Sequence, residues 1–157
     1  MIRPDPERDL TIERVIKAPR AAVWRAWAEP ARFEQWWLPA PYSCKVVEME
    51  LRPGGSFLTR MSEDGQTFTP HVTGCFLAVD PMERIVFTTA MSAGWRPHDG
   101  KPLGMTASTT FEDHPDGTLY RSYVMHKDRA DRDSHVEMGF EQGWGTVIAQ
   151  LSALLEG

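Results

Sequence analysis

The chain lacks asparagine altogether, has only two cysteines, and contains no uninterrupted apolar run longer than the five residues 75–79. Without asparagine the chain has no acceptor for N-glycosylation. A helix that spans a membrane needs about 20 mostly apolar residues, and a secretory signal needs an apolar stretch that residues 1–10 do not contain. These absences favour a cytoplasmic protein that makes no membrane contact.

An excess of positive charge is also missing, because 17 lysine and arginine residues stand against 22 aspartate and glutamate residues. The basic residues are scattered along the chain, so a nucleic-acid backbone would meet net repulsion. Cys44 and Cys75 lie on separate predicted strands, and neither belongs to a C-x-x-C pair or to a zinc-finger spacing. We therefore expect reduced structural thiols, no metal, no cofactor and no nucleic-acid partner.

The length of 157 residues is typical of one domain. A domain of this size buries roughly 70% of the surface of its unfolded chain, which is enough for one core. No segment rich in proline, glycine or serine interrupts the chain as a linker would. We expect a single domain over residues 1–157, of which residues 1–9 are flexible.

Alternating apolar residues predict a first strand over Leu10–Ile16, and Pro19 and Pro30 then begin two short helices. Residues 93–104 are rich in proline and glycine and have no periodicity, which predicts a loop that forms a rim or a lid. Period-two alternation between turn residues predicts six further strands. These strands are Ser43–Leu51, Ser56–Met61, His71–Val79, Arg84–Met91, Met105–Glu112 and Thr118–His126.

The C-terminal segment carries the clearest helix signal. Ser134 and Glu137 form a capping box, and the apolar residues around and after it return at helical spacing. We expect one helix of about 22 residues, about 33 Å long. Consecutive strands followed by a segregated helix predict an α+β fold. In this fold a curved antiparallel sheet of six or seven strands wraps around the long helix.

Gly139, Gly143 and Gly145 lie inside that predicted helix, where each glycine costs about 1 kcal/mol relative to alanine. Gly139 and Gly143 are one turn apart and flank apolar residues, so they remove side chains where the helix meets the sheet. The missing side chains predict a cavity between helix and sheet. Close helix–sheet contact or a bend is the alternative explanation.

The order of elements and several motifs together resemble a known family. The segments APRAAVWRAW, EQWW, RPGGSF, GCFLAVDPMERIVFT, TTFEDHPDGT and HVEMGFEQGWGTVIAQLSALL are similar to the START-like helix-grip superfamily (SRPBCC). The branch they resemble is named after the activator of heat-shock protein 90 ATPase. The resemblance covers Leu10 to Leu155 and implies a helix-grip fold with an elongated cavity, which the superfamily uses for lipids, hormones and polyketides. Chaperone-contacting residues are not matched, so that role is not carried over.

Side chains of one alternation parity are expected to face the cavity. On the second strand Val47 and Leu51 share the parity of Met49, whereas the inner face of Arg84–Met91 stays open because Ile85 and Phe87 compete with Val86. The predicted ligand-binding residues are Trp37, Met49, Phe57, Thr59, Met61, His71, Thr73, Tyr120, Ser122, His126, Gly139, Phe140, Gly143 and Trp144.

Histidines are the main candidates for chemistry. His126 shares the parity of Tyr120, and its imidazole is expected to end near His135 at the start of the long helix. Together with His71 such a pair would bind a metal or shuttle protons, and the alternative is a hydrogen-bonded histidine at the sheet edge. No H-E-x-x-H, G-x-S-x-G, P-loop or G-x-G-x-x-G motif occurs, so standard signatures assign no reaction.

Three hypotheses follow. The preferred one is a non-enzymatic binding module for a small apolar or aromatic molecule. The second is a cyclase- or dehydratase-like enzyme on a polyketide-like or aromatic substrate, with His126 or Tyr120 as the acid–base group. The third is a protein partner, either a chaperone or a second copy of the chain in a homodimer.

Overall fold

The chain opens with strand β1 (Asp9–Ile16), which is followed by two short helices, α1 (Arg20–Ala28) and α2 (Pro30–Phe33). The computed structural model describes residues 3–156. All six strands predicted after α2 are confirmed. The remaining elements are β2 (Ser43–Met49), β3 (Ser56–Ser62), β4 (Thr69–Asp80), β5 (Arg84–Thr88), β6 (Met91–Ser92), β7 (Arg96–Pro97), β8 (Thr106–His114), β9 (Gly117–Met125), α3 (Arg129–Glu137) and α4 (Phe140–Glu156).

Seven strands form one antiparallel sheet in the order β1-β9-β8-β5-β4-β3-β2. The register shifts between β2 and β3, between β3 and β4, and between β4 and β5. Such bulges bend a strand and increase its local twist, so this half of the sheet curls around the helices. The predicted fold class, a curved antiparallel sheet with a C-terminal helix, is confirmed.

The bulge in β2 corrects one prediction about the inner face. Before it, Cys44 and Val46 pack on the core, and after it Met49 and Leu51 do so. Val47 is the extra residue at the register shift and is 50% exposed, so its predicted inward position is wrong. One inserted residue reverses the alternation of a strand, and no sequence pattern marks the insertion here.

The face of β5 that the sequence leaves open is settled by the structure. Ile85 and Phe87 belong to the buried core cluster, whereas Val86 is buried outside that cluster. Phe87 therefore points towards the helices, where it meets Trp27 at a ring-centroid distance of 6.1 Å.

Two helices replace the single C-terminal helix predicted from the sequence. The side chain of Asp128 accepts a hydrogen bond from the Asp131 amide at 2.8 Å and caps α3. Ser134 therefore lies inside α3, and the predicted capping box is wrong. Gly139 has a φ of +89° and separates α3 from α4, because a left-handed φ favours glycine.

Gln150 ties α4 to the segment that follows α2. Its side-chain nitrogen donates to the carbonyls of Trp36 at 3.1 Å and Leu38 at 2.8 Å. Its side-chain oxygen accepts a hydrogen bond from the Ala40 amide at 2.8 Å. These contacts hold the helix and the tryptophan-bearing segment together at one end of the space beneath α4.

The loop predicted over residues 93–104 contains part of a short hairpin of β6 and β7. The Gly94 amide donates to the carbonyl of Gly54 at 2.8 Å, so the hairpin lies against the β2–β3 turn. No helix in residues 3–156 combines the length and the apolar character needed to cross a membrane.

Candidate ligand-binding site

A cavity of about 260 Å³ lies beneath α4, beside the segment that follows α2. Its wall is mostly apolar, because aromatic and aliphatic side chains reach it from that segment, from β5 and from α4. Engineered cavities of about 150 Å³ bind benzene, so this one has room for about one or two fused rings. The predicted residues that line it are Trp37, His71, Tyr120, Gly139, Phe140, Gly143 and Trp144.

An outer compartment, also about 260 Å³, adjoins this cavity. Lys101–Leu103, from the second half of the predicted loop, forms part of its wall. This position agrees with the prediction that the loop forms a rim. The residues that line both spaces are His71, Val72, Met105, His135 and Met138.

The helical glycines differ in what surrounds them. A Cβ atom added at Gly143 would have no heavy atom within 4 Å, whereas one added at Gly145 would meet Cδ1 of Ile12 at 4.0 Å. Gly143 therefore leaves empty space in the cavity wall, and Gly145 lets α4 approach β1. The cavity interpretation applies to Gly143, and the close-contact alternative applies to Gly145.

Several predicted residues lie outside the cavity lining, and their ligand contacts stay predictions. Phe57 is fully buried and stacks on Phe76 with ring centroids 4.9 Å apart. The aromatic side chains of α1 and α2 fill this part of the sheet, so it is solid core. Met49, Phe57 and Thr59 lie in or beside this core. Ser122 is buried on β9, where its hydroxyl lies 2.8 Å from that of Thr109, and Met61 is half-buried on β3.

Strand β4 alternates differently from the prediction. Val72 is buried and lines the cavity, whereas Thr73 is exposed and contributes only to the outer compartment. The predicted inward position of Thr73 is therefore wrong. His71 lies at the rim, where its Nδ1 is 3.2 Å from the hydroxyl of Thr59 and desolvation on its inner side lowers its pKa.

Tyr120 lies in the cavity wall with its hydroxyl already engaged. The indole nitrogen of Trp27 donates to the Tyr120 oxygen at 3.0 Å in a buried environment. Burial raises the pKa of Tyr120 to about 12, so the phenol stays protonated at neutral pH. The parity predicted for this strand is confirmed by the buried Thr118, Ser122 and Val124.

His126 contacts His135 directly, as the sequence predicts. Its Nε2 lies 2.9 Å from Nδ1 of His135, and its own Nδ1 lies 2.8 Å from the carbonyl oxygen of Arg8. His126 therefore stands behind His135 and does not line the cavity. Both nitrogens of this acid–base candidate are bonded within the protein, and residues 3–156 contain no group of three metal-binding side chains.

His135, which the sequence suggests only as a partner of His126 and His71, is not among the predicted ligand-binding residues. It lines both the cavity and the outer compartment, and only 8% of it is exposed. Burial, and then the neighbouring His126, lower its pKa to about 4, so the ring is neutral at pH 7. His135 precedes Phe140, the first residue of α4, by five residues. It therefore does not fall on the helical spacing of the apolar residues, and that spacing could not have identified it as a cavity residue.

Trp37 supplies a flat side of the cavity. Its ring stacks on Phe33 at a centroid distance of 4.6 Å, and its indole nitrogen is buried without a hydrogen-bond partner in residues 3–156. Unpaired buried donors are rare in folded proteins.

Among the lining residues that the prediction omits, Val147 and Ile148 lie on the apolar stripe that the helical spacing already indicates.

Residues 17–156 match the family model described as Activator of Hsp90 ATPase homolog 1-like protein. No curated protein is significantly similar to the chain in sequence. A solved structure from Nitrosomonas europaea is 37% identical, covers 99% of this chain and 98% of its own, and superimposes with a TM-score of 0.90.

Two more distant structures are also similar. A protein from Mycobacterium smegmatis is 26% identical over 98% of this chain and 94% of its own, with a TM-score of 0.78. An AHSA1-like protein from Aeromonas hydrophila is 20% identical over 94% of this chain and 92% of its own, with a TM-score of 0.66. At that identity the second likeness shows the fold alone.

Proposed function

The chain belongs to the Activator of Hsp90 ATPase homolog 1-like family of the SRPBCC superfamily, and we propose that it binds a small aromatic or hydrophobic molecule in the cavity beneath α4. Folds of this superfamily commonly bind hydrophobic ligands. The apolar lining from α4, β5 and the segment after α2 supports the same ligand chemistry, because ligand sites are mainly apolar with a few polar groups.

The observation that carries the proposal is the empty space at Gly143. Protein interiors are normally packed as densely as organic crystals, so a space that a side chain could fill is unusual. Glycine inside α4 also lowers helix stability relative to any residue that would fill it. A space kept open at the expense of stability is expected where a ligand enters.

The test is a binding panel of aromatic compounds with one to three rings, measured by thermal shift and isothermal titration calorimetry. A ligand that binds only the folded state raises the melting temperature by mass action. In the Gly143→Leu variant the new side chain occupies the cavity, and we expect the affinity of each bound compound to fall at least about tenfold.

Gly145→Ala is the control. It also replaces a glycine of α4, two residues along the helix, but its smaller methyl group faces Ile12 and not the cavity. Affinities should therefore stay within about twofold of the wild-type values. Binding of no compound to the wild-type protein, or unchanged binding in Gly143→Leu, would contradict the proposal.

The proposal includes a cytoplasmic location. Cys44 and Cys75 are both buried and free, which supports a reducing compartment. Fractionation of cells that express the protein would test the location, and recovery of the protein outside the cytoplasmic fraction would contradict it.

A further inference from the structure

We propose that the molecule bound in this cavity carries a phenolic or enolic hydroxyl group, which donates a hydrogen bond to Nε2 of His135. The inference rests on the proposed function, since it names the chemistry recognised by the same cavity. The ring of His135 is one of the polar groups in this mostly apolar wall.

The hydrogen-bond chain behind His135 determines which of its nitrogens carries the proton. The carbonyl oxygen of Arg8 can only accept, so Nδ1 of His126, 2.8 Å away, must donate to it. In neutral His126 the Nε2 atom is then an acceptor. Nδ1 of His135, 2.9 Å away, must therefore donate to it, which leaves Nε2 of His135 unprotonated.

The same geometry leaves Nε2 of His135 available to a ligand. The Nδ1 side of the ring faces His126, and the ring as a whole lines the cavity. Its neighbours there are the rings of Phe140, at a centroid distance of 5.0 Å, and Trp144, at 6.2 Å. In residues 3–156 the hydrogen bond of the His135 ring is made by Nδ1, and no protein hydrogen bond reaches Nε2. A ligand that donates a hydrogen bond to this nitrogen would satisfy an acceptor that the protein leaves unpaired.

Charge and shape narrow the ligand class. The low pKa of about 4 keeps His135 neutral at pH 7, so it offers a lone pair and no positive charge. A carboxylate has no proton to donate and would also meet a chain with a net charge of −5. The flat rings of Phe140 and Trp144 beside the acceptor favour a hydroxyl on an aromatic or conjugated ring.

Matched probes test the inference on the wild-type protein. The hydroxyl compounds phenol and 2-naphthol are compared by calorimetry at pH 7 with their methyl ethers, anisole and 2-methoxynaphthalene, and with 2-naphthoate. Each ether keeps the ring and the oxygen but loses the proton. We expect the hydroxyl member of a bound pair to bind about tenfold more tightly than its ether. In His135→Phe the difference should shrink to about twofold or less.

The outcomes separate this inference from the function on which it rests. Equal affinities for a hydroxyl compound and its methyl ether, or a preference for 2-naphthoate, would overturn the hydroxyl inference. The proposal that the cavity binds aromatic molecules would still stand. Failure of these probes and of the whole aromatic panel would overturn both.

A measurement without ligand or variant tests the hydrogen-bond chain itself. Long-range ¹H–¹⁵N correlation spectra of the wild-type protein at pH 7 should show protonated Nδ1 and unprotonated Nε2 in both His126 and His135. A proton on Nε2 of His135 would overturn the inference, because the acceptor it requires would not exist.

Discussion

At the α1–α2 end of the cavity aromatic rings pack directly on one another, whereas at the α3–α4 end two imidazoles are held by a chain of hydrogen bonds. The Trp27 ring lies 4.9 Å from Phe33 and 5.3 Å from Trp37, measured between centroids. At the other end His135 is bonded to His126, and its second nitrogen has no protein partner within residues 3–156. The filled end contributes stability through packing, whereas the polar end places a hydrogen-bond acceptor in the cavity wall.

The largest expected effect comes from breaking the filled end. Trp27 is fully buried, so Trp27→Ala should lower the free energy of unfolding by about 3–5 kcal/mol. Urea denaturation measured by circular dichroism checks this value. The control is Trp95→Ala, since Trp95 is 53% exposed and should cost about 1 kcal/mol or less. Equal losses in the two variants would contradict the assigned role of the aromatic end.

The second prediction concerns the loss of folding stability in acid that His135, at the α3–α4 end, should cause. The pKa of His135 is lowered to about 4 from its ordinary value of 6.5, so the unfolded chain binds this proton more readily than the folded chain. The stability is fully present above pH 6.5 and is lost as the pH falls towards 4. The loss amounts to on the order of 3 kcal/mol. His126 is the titratable group in contact with His135, and His71 lines the same cavity.

Denaturation curves at stepped pH values measure this dependence in wild-type protein and in His135→Gln. Glutamine keeps a donor for His126 but does not titrate, so the acid-dependent loss should become smaller. His98→Gln is the control, because His98 is exposed in the loop. A His135→Gln curve parallel to that of the wild-type protein would refute the assignment.

Tyr120 lines the cavity and is hydrogen-bonded to Trp27 of the filled end, and removing its hydroxyl should have an intermediate effect. Tyr120→Phe leaves the buried indole nitrogen of Trp27 without its acceptor, which should cost about 1–3 kcal/mol. Tyr123→Phe is the control on the same strand, because Tyr123 has the opposite parity and should change stability by about 0.5 kcal/mol or less. Equal effects would show that the bond to Trp27 contributes nothing.

The same two ends show what can be predicted from the sequence. Alternation locates the strands and correctly places Tyr120 on the inner face, because β9 has no bulge relative to either neighbour. It fails for Val47, where a bulge inserts one residue, and for Thr73, where β4 has shifted registers on both sides. A bulge depends on how neighbouring strands pair and pack, and the alternation of apolar and polar residues in one strand does not determine that pairing.

The polar end is harder to predict. Sequence parity brings His126 to His135, but the free nitrogen depends on the carbonyl of Arg8, which is 118 residues from His126 in the chain. The capping box at Ser134 has the right residue types, yet Asp128 begins the helix earlier and Gly139 ends it. Local patterns therefore identify candidate residues, whereas tertiary contacts determine which of their atoms face the cavity.

The smallest expected effect separates the two glycines of α4. Gly143→Ala and Gly145→Ala should each raise the free energy of unfolding by about 0.5–1 kcal/mol, because alanine favours the helix. The added methyl group has open space at Gly143 and an ordinary contact with Ile12 at Gly145. Urea denaturation measures both gains, and titration with a bound aromatic compound should show weaker affinity only in Gly143→Ala. Destabilisation by Gly143→Ala would mean that the space beneath α4 is already filled, and the contrast between the two glycines would disappear.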